Sequence, residues 1–297
     1  MLGPNEDLVL GNMTRRNIES GQDSGNSRIS ALAVSTEQIA VERPAFSKRE
    51  PDRPQPPTLW PEFNPSKSEC SCSTCPADQL NLCAVASKAF ASEAKRLPAQ
   101  TIPARRTICH PKDWSEFVLV ICDGWAASSI MLADGRRQIL SFLLPGDLVS
   151  TASIFGATSG RLVEAVTKVT YRKFNRDVFK AALVKDPDFL EKVSKVWIEE
   201  REHTDQLAAD LGRRTADARI ARQVLYLASK LGKRGMMRGQ TLHFPLRHRH
   251  IADATGLTQN HVSKVMSCFQ KAGLIKITNR SLTITNEAAL RHAADWQ

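Results

Sequence analysis

The sequence predicts an α+β fold, because three stretches of different periodicity follow one another along the chain. Short apolar runs broken by turn residues occupy the middle of the chain, and such runs are typical of antiparallel strands. A long stretch of helical spacing comes next, and two short helices joined by a tight turn lie near the C-terminus. We therefore expect an N-terminal antiparallel β-roll, a long helix and a C-terminal winged helix-turn-helix.

The first part of the chain is predicted to lack a core. Residues 1–65 contain 8 of the 15 prolines, and a segment this rich in Pro and polar residues buries too little apolar surface to fold. We therefore expect a disordered extension over residues 1–65. Four of the seven cysteines follow within Cys70–Cys83, in a cysteine segment of residues 66–95. An odd number of closely spaced thiols is unlike a disulfide framework and fits a reducing compartment.

Residues 96–185 are predicted to form the β-roll. The expected strands lie in four runs, FVLVICDGW, SSIMLADG, RQILSFLLPGD and VEAVTKVTYRKF. Asp-Gly and Pro-Gly pairs between them mark turns. Strands this short close most readily as an antiparallel barrel or roll.

Residues 186–213 are predicted to form one long helix that pairs with a second copy of the chain. Its seam positions recur at alternate spacings of three and four, which is the pattern of a coiled coil. Those positions are Leu190, Val193, Trp197, Glu200, Thr204, Leu207 and Leu211. The two polar members favour a short seam. A helix that lies on its own domain is the alternative.

The final segment, residues 214–297, contains the helix-turn-helix within Arg247–Val265. Gly256 suits the turn, because glycine tolerates a positive φ. The second helix leaves one polar face exposed, made of Thr258, Gln259, Asn260, His261, Ser263 and Lys264. Side chains of these types read base edges in a major groove. The run IKITNRSLTIT predicts a small β-wing, and an ordinary pair of antiparallel helices is the alternative to a DNA-reading unit.

The charge of the chain is concentrated at its C-terminal end. The net charge is +10, and from Arg213 onward there are 15 Lys and Arg against 4 Asp and Glu. A one-sided basic block that overlaps a helix-turn-helix indicates a polyanionic partner. The longest apolar run, Phe117–Cys122, is far too short to cross a bilayer. With no secretory signal at the start either, we expect a cytoplasmic protein without a membrane partner.

An enzymatic function is not expected. A cupin-like site needs several His and a carboxylate inside the barrel, and the β-region contains only His110. The sequence also has no evident nucleophile–base pair and no phosphate-binding glycine loop. A pure protein-interaction module would leave the basic C-terminal block unexplained.

Three groups of residues carry a family resemblance. The first is Gly135-Arg136-Arg137-Gln138 with Phe142 and Pro145-Gly146-Asp147-Leu148-Val149. The second is Ile251-Ala252-Asp253 with Gly256-Leu257-Thr258 and His261-Val262-Ser263-Lys264, and the third is Phe269-Gln270-Lys271-Ala272-Gly273-Leu274-Ile275. They resemble the β-roll signature, the DNA-reading unit and the start of the wing of the Crp/Fnr family of bacterial transcription regulators. The resemblance covers the chain from about Cys70 to its end and is greatest to the Fnr/FixK-like branch, of the rhizobial FnrN type.

The resemblance implies a β-roll of the cyclic-nucleotide-binding type and a homodimer that binds a two-fold symmetric operator and recruits RNA polymerase, most often as an activator. Base or phosphate contacts are expected from Thr258, Gln259, Asn260, His261, Ser263 and Lys264, and backbone contacts from Arg247, His248, Arg249 and Lys276. The family usually has Glu and Arg where this chain has Asn260 and Lys264. Asn favours adenine and Lys lacks the guanidinium fork, so a different half-site is expected.

The Fnr branch holds a [4Fe-4S] cluster on four thiolates, and Cys72, Cys75 and Cys83 resemble its N-terminal ligands. The branch's fourth cysteine aligns with Arg172, so Cys70, Cys109 or Cys122 would have to replace it. A zinc site and a FixK-like regulator without any metal stay open as alternatives. A cyclic nucleotide is not expected, because Phe155-Gly156-Ala157 and Arg161-Leu162 lack the carboxylate and hydroxyl that the nucleotide-binding branch uses.

Overall fold

The structure is a computed structural model that describes residues 99–110, 116–156 and 160–296. The predicted disordered extension, the cysteine segment and the proposed ligands Cys70, Cys72, Cys75 and Cys83 lie outside the described residues.

The predicted β-roll is confirmed by seven strands, all of which pair antiparallel. One sheet has the order β1-β7-β3 and the other has the order β2-β6-β4-β5. The strands are β1 Gln100–Ile102, β2 Thr107–Cys109, β3 Phe117–Asp123, β4 Ala126–Met131, β5 Arg137–Leu143, β6 Leu162–Ala165 and β7 Val169–Asn175. A short 3-10 helix, Ala152–Phe155, follows β5 and its turn.

The run VEAVTKVTYRKF was expected to be one strand, and this expectation is wrong. It forms β6 and β7, which belong to different sheets. The chain turns between them because the N–H groups of Val166 and Thr167 both donate to the carbonyl oxygen of Trp125, at 2.8 and 3.2 Å. Gly124 makes the turn possible, since a Cβ there would lie 2.1 Å from the Lys168 carbonyl oxygen.

Six α-helices complete the part of the chain that the structure describes. They are α1 Arg176–Lys185, α2 Pro187–Arg213, α3 Ala216–Gly232, α4 His248–Thr255, α5 Gln259–Lys271 and α6 Glu287–Ala293. The predicted long helix is α2. The Asp186 side chain caps its first turn and Pro187 occupies its first position, where no N–H is needed. Helix α1 was not predicted; the Asn175 side chain caps it at the end of β7.

The C-terminal domain has its own sheet, in the order β10-β11-β9-β8. Its strands are β8 Met237–Arg238, β9 Thr241–His243, β10 Ile275–Thr278 and β11 Ser281–Ile284. The hairpin β10–β11 is the predicted wing. Its two turn residues, Asn279 and Arg280, have φ values of 48° and 60°, as expected for the tight turn of a two-residue hairpin.

One apolar core joins the β-roll to the C-terminal domain, and α3 lies at its centre. The β-roll side chains in this core include Trp125, Ile139 and Phe142. They pack in the same cluster as Ile220 and Leu227 of α3, which are completely buried. Burying aromatic and branched side chains of this size stabilises a fold by about 1.5–3 kcal/mol each. The two domains therefore share a core.

A buried carboxylate reinforces this junction. Asp147 forms an ion pair with Lys230 at 2.7 Å and a second with Arg234. Arg234 also donates to the Pro145 carbonyl oxygen at 2.8 Å. Although burial favours the neutral acid, the two cations hold the pKa of Asp147 below its ordinary value. The Pro-Gly-Asp turn is thereby fixed to the C-terminal end of α3.

Acidification should weaken this junction through His203 of α2. Its Nε2 lies 3.0 Å from the Leu140 carbonyl oxygen and its ring stacks on Tyr226 with centroids 4.1 Å apart. Burial, and then Lys230, lower the pKa of His203 from 6.5 to about 4. Between these values the unfolded chain binds the proton and the folded chain does not, so stability is complete above pH 6.5 and falls toward pH 4. At pH 5 the loss expected from His203 alone is about 2 kcal/mol of unfolding free energy.

Urea denaturation of the full chain at pH 7.5 and pH 5, at one protein concentration, measures this loss. His203→Gln keeps a donor for Leu140 and cannot titrate, so its loss between the two pH values should be smaller by about 2 kcal/mol. His261→Gln, an exposed site, should retain the wild-type loss. Equal losses in the two variants would contradict the assignment to His203.

Candidate nucleic-acid interface

The helix-turn-helix is formed by α4 and α5, and the turn between them depends on Gly256. This residue has a φ of +66°, and its N–H donates to the Ala252 carbonyl oxygen. An added Cβ would lie 3.1 Å from a methyl group of Leu211. Both the backbone conformation and the close contact with α2 therefore favour glycine. The turn sets the angle at which α5 leaves the domain.

Helix α5 presents the polar face that the sequence predicts. Thr258 caps the helix, its hydroxyl accepting the His261 N–H at 3.3 Å. The opposite face is anchored in the core by Val262, Val265, Met266 and Phe269. Of the predicted contact residues, Ser263 is half-buried and the others are exposed: Thr258, Gln259, Asn260, His261 and Lys264. These donors and acceptors start in the first two turns of the helix, where recognition helices contact bases.

The residues predicted to contact phosphates lie at the start of α4 and on the wing. Arg247 caps α4, and it is exposed, as are His248 and Lys276; Arg249 is half-buried. Sequence reasoning missed Arg280 at the tip of the wing, which is also exposed. The dipeptide Asn279-Arg280 between two apolar strands was the available signal, because a two-residue hairpin turn points its side chains into solvent.

His250, also missed, fixes the start of α4. Its Nδ1 accepts the Arg247 N–H at 3.1 Å, and its Nε2 lies 3.3 Å from the Nε of Arg249. Burial, and then the cations Arg249, Arg137, Arg247 and Arg105, lower its pKa from 6.5 to about 4. A neutral histidine therefore completes the helix cap among several positive charges.

The first helix of the unit is attached to the β-roll by Arg137. Its guanidinium lies 2.7 Å from the Asp253 carboxylate of α4 and 2.7 Å from Glu164 of β6. The neighbouring Gln138 donates to the Ala254 carbonyl oxygen at 3.1 Å. Arg137 and Gln138 belong to the Gly-Arg-Arg-Gln signature. This signature thus contacts the DNA-reading unit directly, which the sequence did not reveal.

A second ion pair lies where a cyclic nucleotide would be sought. Arg161 and Glu200 of α2 are 2.7 Å apart, and the Thr151 hydroxyl donates to the same carboxylate at 2.7 Å. Glu200 was assigned to the seam between two chains, and the structure instead turns it toward its own β-roll. Its carboxylate supplies the negative charge that a nucleotide phosphate would bring to Arg161.

The seam residues of α2 fall into three environments. Leu190 and Trp197 are 49% and 58% exposed, and the Phe155 ring lies 6.1 Å from that of Trp197. Val193 is only 4% exposed and packs in the core of its own β-roll with Phe179 and Phe189, which differs from its assignment to the seam. Leu207 and Leu211 are half-buried.

The cysteines that the structure describes do not form a metal centre. Among residues 99–110, 116–156 and 160–296, no three His, Cys, Asp or Glu side chains lie close enough together to hold a metal ion. Cys109 is 3% exposed, in the β-roll core, and Cys122 is half-buried on β3. Arg172, which aligns with the fourth cluster ligand of the Fnr branch, lies on β7 opposite Val120.

Comparison with known proteins identifies both domains. Residues 99–186 match the model of the cyclic nucleotide-binding domain, and residues 218–293 match that of the Crp-like helix-turn-helix domain. The chain belongs to the Crp/Fnr family of transcription regulators. The resemblance of the sequence motifs to this family is thus confirmed. Membership of this family implies that the C-terminal domain binds DNA. It also implies the dimeric architecture of Crp-like proteins.

The curated relatives of this Crp/Fnr protein are regulators and not enzymes. It is 27% identical over 230 residues to the transcriptional activator protein FnrL of Cereibacter sphaeroides, covering 75% of this chain and 92% of FnrL. It is 26% identical over 228 residues to the nitrogen fixation regulation protein FixK of Bradyrhizobium diazoefficiens, covering 75% and 93%. The structure of FixK2 from Bradyrhizobium japonicum superimposes with a TM-score of 0.59 at 25% identity, covering 66% of this chain and 96% of FixK2.

Within the described part of this Crp/Fnr chain, no helix has both the length and the hydropathy that a bilayer crossing requires.

Breaking the Arg137 contact should loosen α4 from the β-roll. In Asp253→Asn the guanidinium loses its charged partner on α4, and a hydrogen bond to a charged group contributes about 1.5–3 kcal/mol. Amide hydrogen exchange of α4 should accelerate by about tenfold or more. Asp177→Asn, at an exposed carboxylate on α1, is the control and should leave α4 exchange unchanged. Unchanged exchange in Asp253→Asn as well would show that Arg137 does not hold the helix.

Proposed function

We propose that this chain is a homodimeric transcription activator that reads a two-fold symmetric operator with α5. The observation that supports this most directly is the exposed polar face of α5 on a strongly basic domain. The proposed base-reading side chains are Gln259, Asn260, His261, Ser263 and Lys264. Thr258, which caps the helix, is proposed to lie next to the DNA backbone. The proposed site of action is the cytoplasm, where the operator is found.

The basic side chains around α5 support a phosphate-contacting role. Four basic side chains are exposed at the start of α4 and on the wing: Arg247, His248, Lys276 and Arg280. Contacts of this kind fix the position of a protein on the duplex without reading sequence. They also make binding weaken steeply as salt rises, because each contact releases counterions.

The exposed apolar face of α2 supports dimerisation through a second copy. Leu190 and Trp197 are seven residues apart and so lie on one side of the helix. Together with Phe155 they leave a large apolar surface exposed, which is unusual for a monomer. A two-fold axis beside this face would give two copies of α5, as two half-sites one DNA turn apart require. The proposed recruitment of RNA polymerase and the activating role follow the description of FnrL as an activator.

The half-site should differ from the usual family consensus, because Asn260 and Lys264 replace the usual Glu and Arg. In a selection from random duplexes, the wild-type chain should enrich a distinct sequence. Asn260→Glu combined with Lys264→Arg should shift the enriched half-site toward the consensus, since each bidentate base contact contributes about 1–3 kcal/mol of discrimination. Gln270→Ala, at an exposed site near the far end of α5, should enrich the wild-type sequence.

Enrichment of the unmodified consensus by the wild-type chain would contradict the assigned base contacts. Failure to enrich any sequence would contradict DNA recognition as a whole.

We further propose that Cys72, Cys75 and Cys83 hold a [4Fe-4S] cluster with Cys122 as the fourth thiolate. Cys122 lies at the β-bulge between Ile121 and Asp123, on the strand that pairs with the one carrying Arg172. Cys122 is also more accessible than Cys109, which is in the core. Such a cluster would make dimerisation and DNA binding sensitive to oxygen.

A regulator without an effector is the second candidate, and the Arg161–Glu200 pair favours it. This pair and Thr151 already connect α2 to the β-roll through protein groups alone. It also supports the absence of a cyclic nucleotide, because a phosphate would have to displace Glu200 from Arg161.

Anaerobic purification distinguishes the two candidates. With a cluster, the wild-type protein should be brown and contain about four iron atoms per chain. Cys75→Ala should lose the colour and the iron, and Cys268→Ala, at an exposed cysteine on α5, should keep both. A colourless, iron-free dimer that binds its operator would exclude the cluster and support the second candidate, the regulator without an effector. A zinc site in place of the cluster would give a colourless protein that contains zinc.

A further inference from the structure

A cavity of about 380 Å³ lies between the β-roll and the C-terminal domain. One wall is formed by two β-roll loops, residues 104–105 and 166–168. The other wall comes from residues 244–251, before and within α4, and from the wing. The volume is within the range of small-molecule sites in proteins. Neither the DNA-reading face of α5 nor the Arg161 site lines this cavity.

The walls carry positive charge without a compensating negative charge. The Lys and Arg side chains that line the cavity are Arg105, Lys168, Arg247, Arg249 and Arg280. No Asp or Glu is present among the described lining residues. None of these five cations takes part in an ion pair with another described residue, whereas the nearby Arg137 has two carboxylate partners.

The potential inside the cavity is therefore positive, and the buried His250 in its wall is exposed to the same charges. Burial lowers the pKa of this histidine, and four arginines, three of them on the walls, lower it further. Holding five cations around one cavity is unfavourable unless an anion neutralises them. The arrangement is consequently complementary to a ligand with several negative charges.

One of the β-roll cations is held in place by an uncommon backbone conformation. Arg105 has a φ of 67°, which residues other than glycine rarely adopt. Its N–H donates to the Ala165 carbonyl oxygen at 2.7 Å. This conformation keeps the loop of Arg105 against β6 and positions its side chain in the wall of the cavity. Such strain is often found at binding sites.

Part of the lining is apolar. Val166, Leu246 and Ile277 are half-buried in the cavity wall. They give a ligand an apolar surface next to the cations, which inorganic phosphate cannot use. A nucleotide has both parts, a charged phosphate chain and a flat base.

We propose that this cavity binds a small organophosphate of the nucleotide polyphosphate class, and that the bound ligand competes with operator DNA. The phosphate chain would lie between Arg105 and Lys168 on one side and Arg247, Arg249 and Arg280 on the other. The competition rests on the proposed function, because Arg247, Arg249 and Arg280 are also proposed phosphate contacts of the operator. Ligand and DNA would then lower each other's affinity by the same factor.

Isothermal titration of the full chain, in low-salt buffer without magnesium, tests the binding step. The probes are ATP, inorganic tripolyphosphate and adenosine. ATP should bind, tripolyphosphate should bind more weakly, and adenosine should not bind. Arg105→Ala combined with Lys168→Ala should weaken ATP binding by about tenfold or more, because two charged contacts are lost. Lys185→Ala combined with Arg213→Ala removes the same charge from exposed sites outside the cavity and should leave ATP affinity unchanged.

The two altered side chains in the cavity are exposed, so the variant should fold, and its thermal unfolding should match the wild type. No ATP binding to the wild type, or equal ATP affinity in the two double variants, would overturn the proposal. Equal binding of tripolyphosphate and ATP would overturn the nucleotide part and assign the cavity to inorganic polyphosphate.

A competition experiment separates this proposal from the proposed function. ATP should lower the operator affinity of the wild type and of the Lys185/Arg213 control, but not that of the Arg105/Lys168 variant, which retains every proposed DNA contact. If the chain binds ATP but binds no DNA duplex, the proposed function is contradicted and the cavity site is retained. Operator binding that ATP does not weaken, in a chain that binds ATP, would overturn the competition.

Discussion

The arrangement of this protein depends on the burial of α3 between the β-roll and the DNA-binding domain. Apolar residues from both sides form one core around this helix, and Asp147 of the Pro-Gly-Asp turn pairs with two cations near its C-terminal end. A buried carboxylate that lost both partners would be strongly destabilising. The helix-turn-helix packs on the same core, so the direction of α5 depends on how α3 sits against the β-roll.

Around this shared core, charged side chains connect the elements that a regulator must couple. Arg137 joins β5 to α4, and Glu200 joins α2 to the β-roll loop of Thr151 and Arg161. Leu211 at the end of α2 touches the turn of the helix-turn-helix at Gly256. A change in the position of α2 would therefore reach the reading helix through direct contacts. This gives a physical route by which dimerisation and DNA binding can depend on each other.

Much of the fold could be predicted because local sequence determines it. The alternation of strand runs, the end of α3 at Gly232 and the wing turn at Asn279-Arg280 each follow from residues adjacent in the chain. The exposed face of α5 was likewise predictable, since helical spacing separates its polar residues from Val262 and Val265. The division of one strand run into β6 and β7 was not, because it is determined by hydrogen bonds to the distant Trp125 carbonyl.

The parts of the site that sequence could not predict all arise from long-range contacts. Helical spacing placed Val193 and Glu200 in a seam, but it cannot tell a second chain from the chain's own β-roll, and these two residues face the β-roll. The Arg137–Asp253 pair joins residues 116 positions apart. The cationic cavity needs loops from both domains, so no single stretch of sequence contains its pattern.

Fluorescence anisotropy of a labelled operator duplex, titrated with the full chain at several salt concentrations, tests the central claim most directly. A dimer that binds through its basic domain should saturate at two chains per duplex. Its log affinity should fall linearly with log salt concentration, with a slope near 0.9 for each phosphate contact. Saturation at one chain per duplex, or an affinity that does not change with salt, would contradict recognition by a dimer through its basic C-terminal domain.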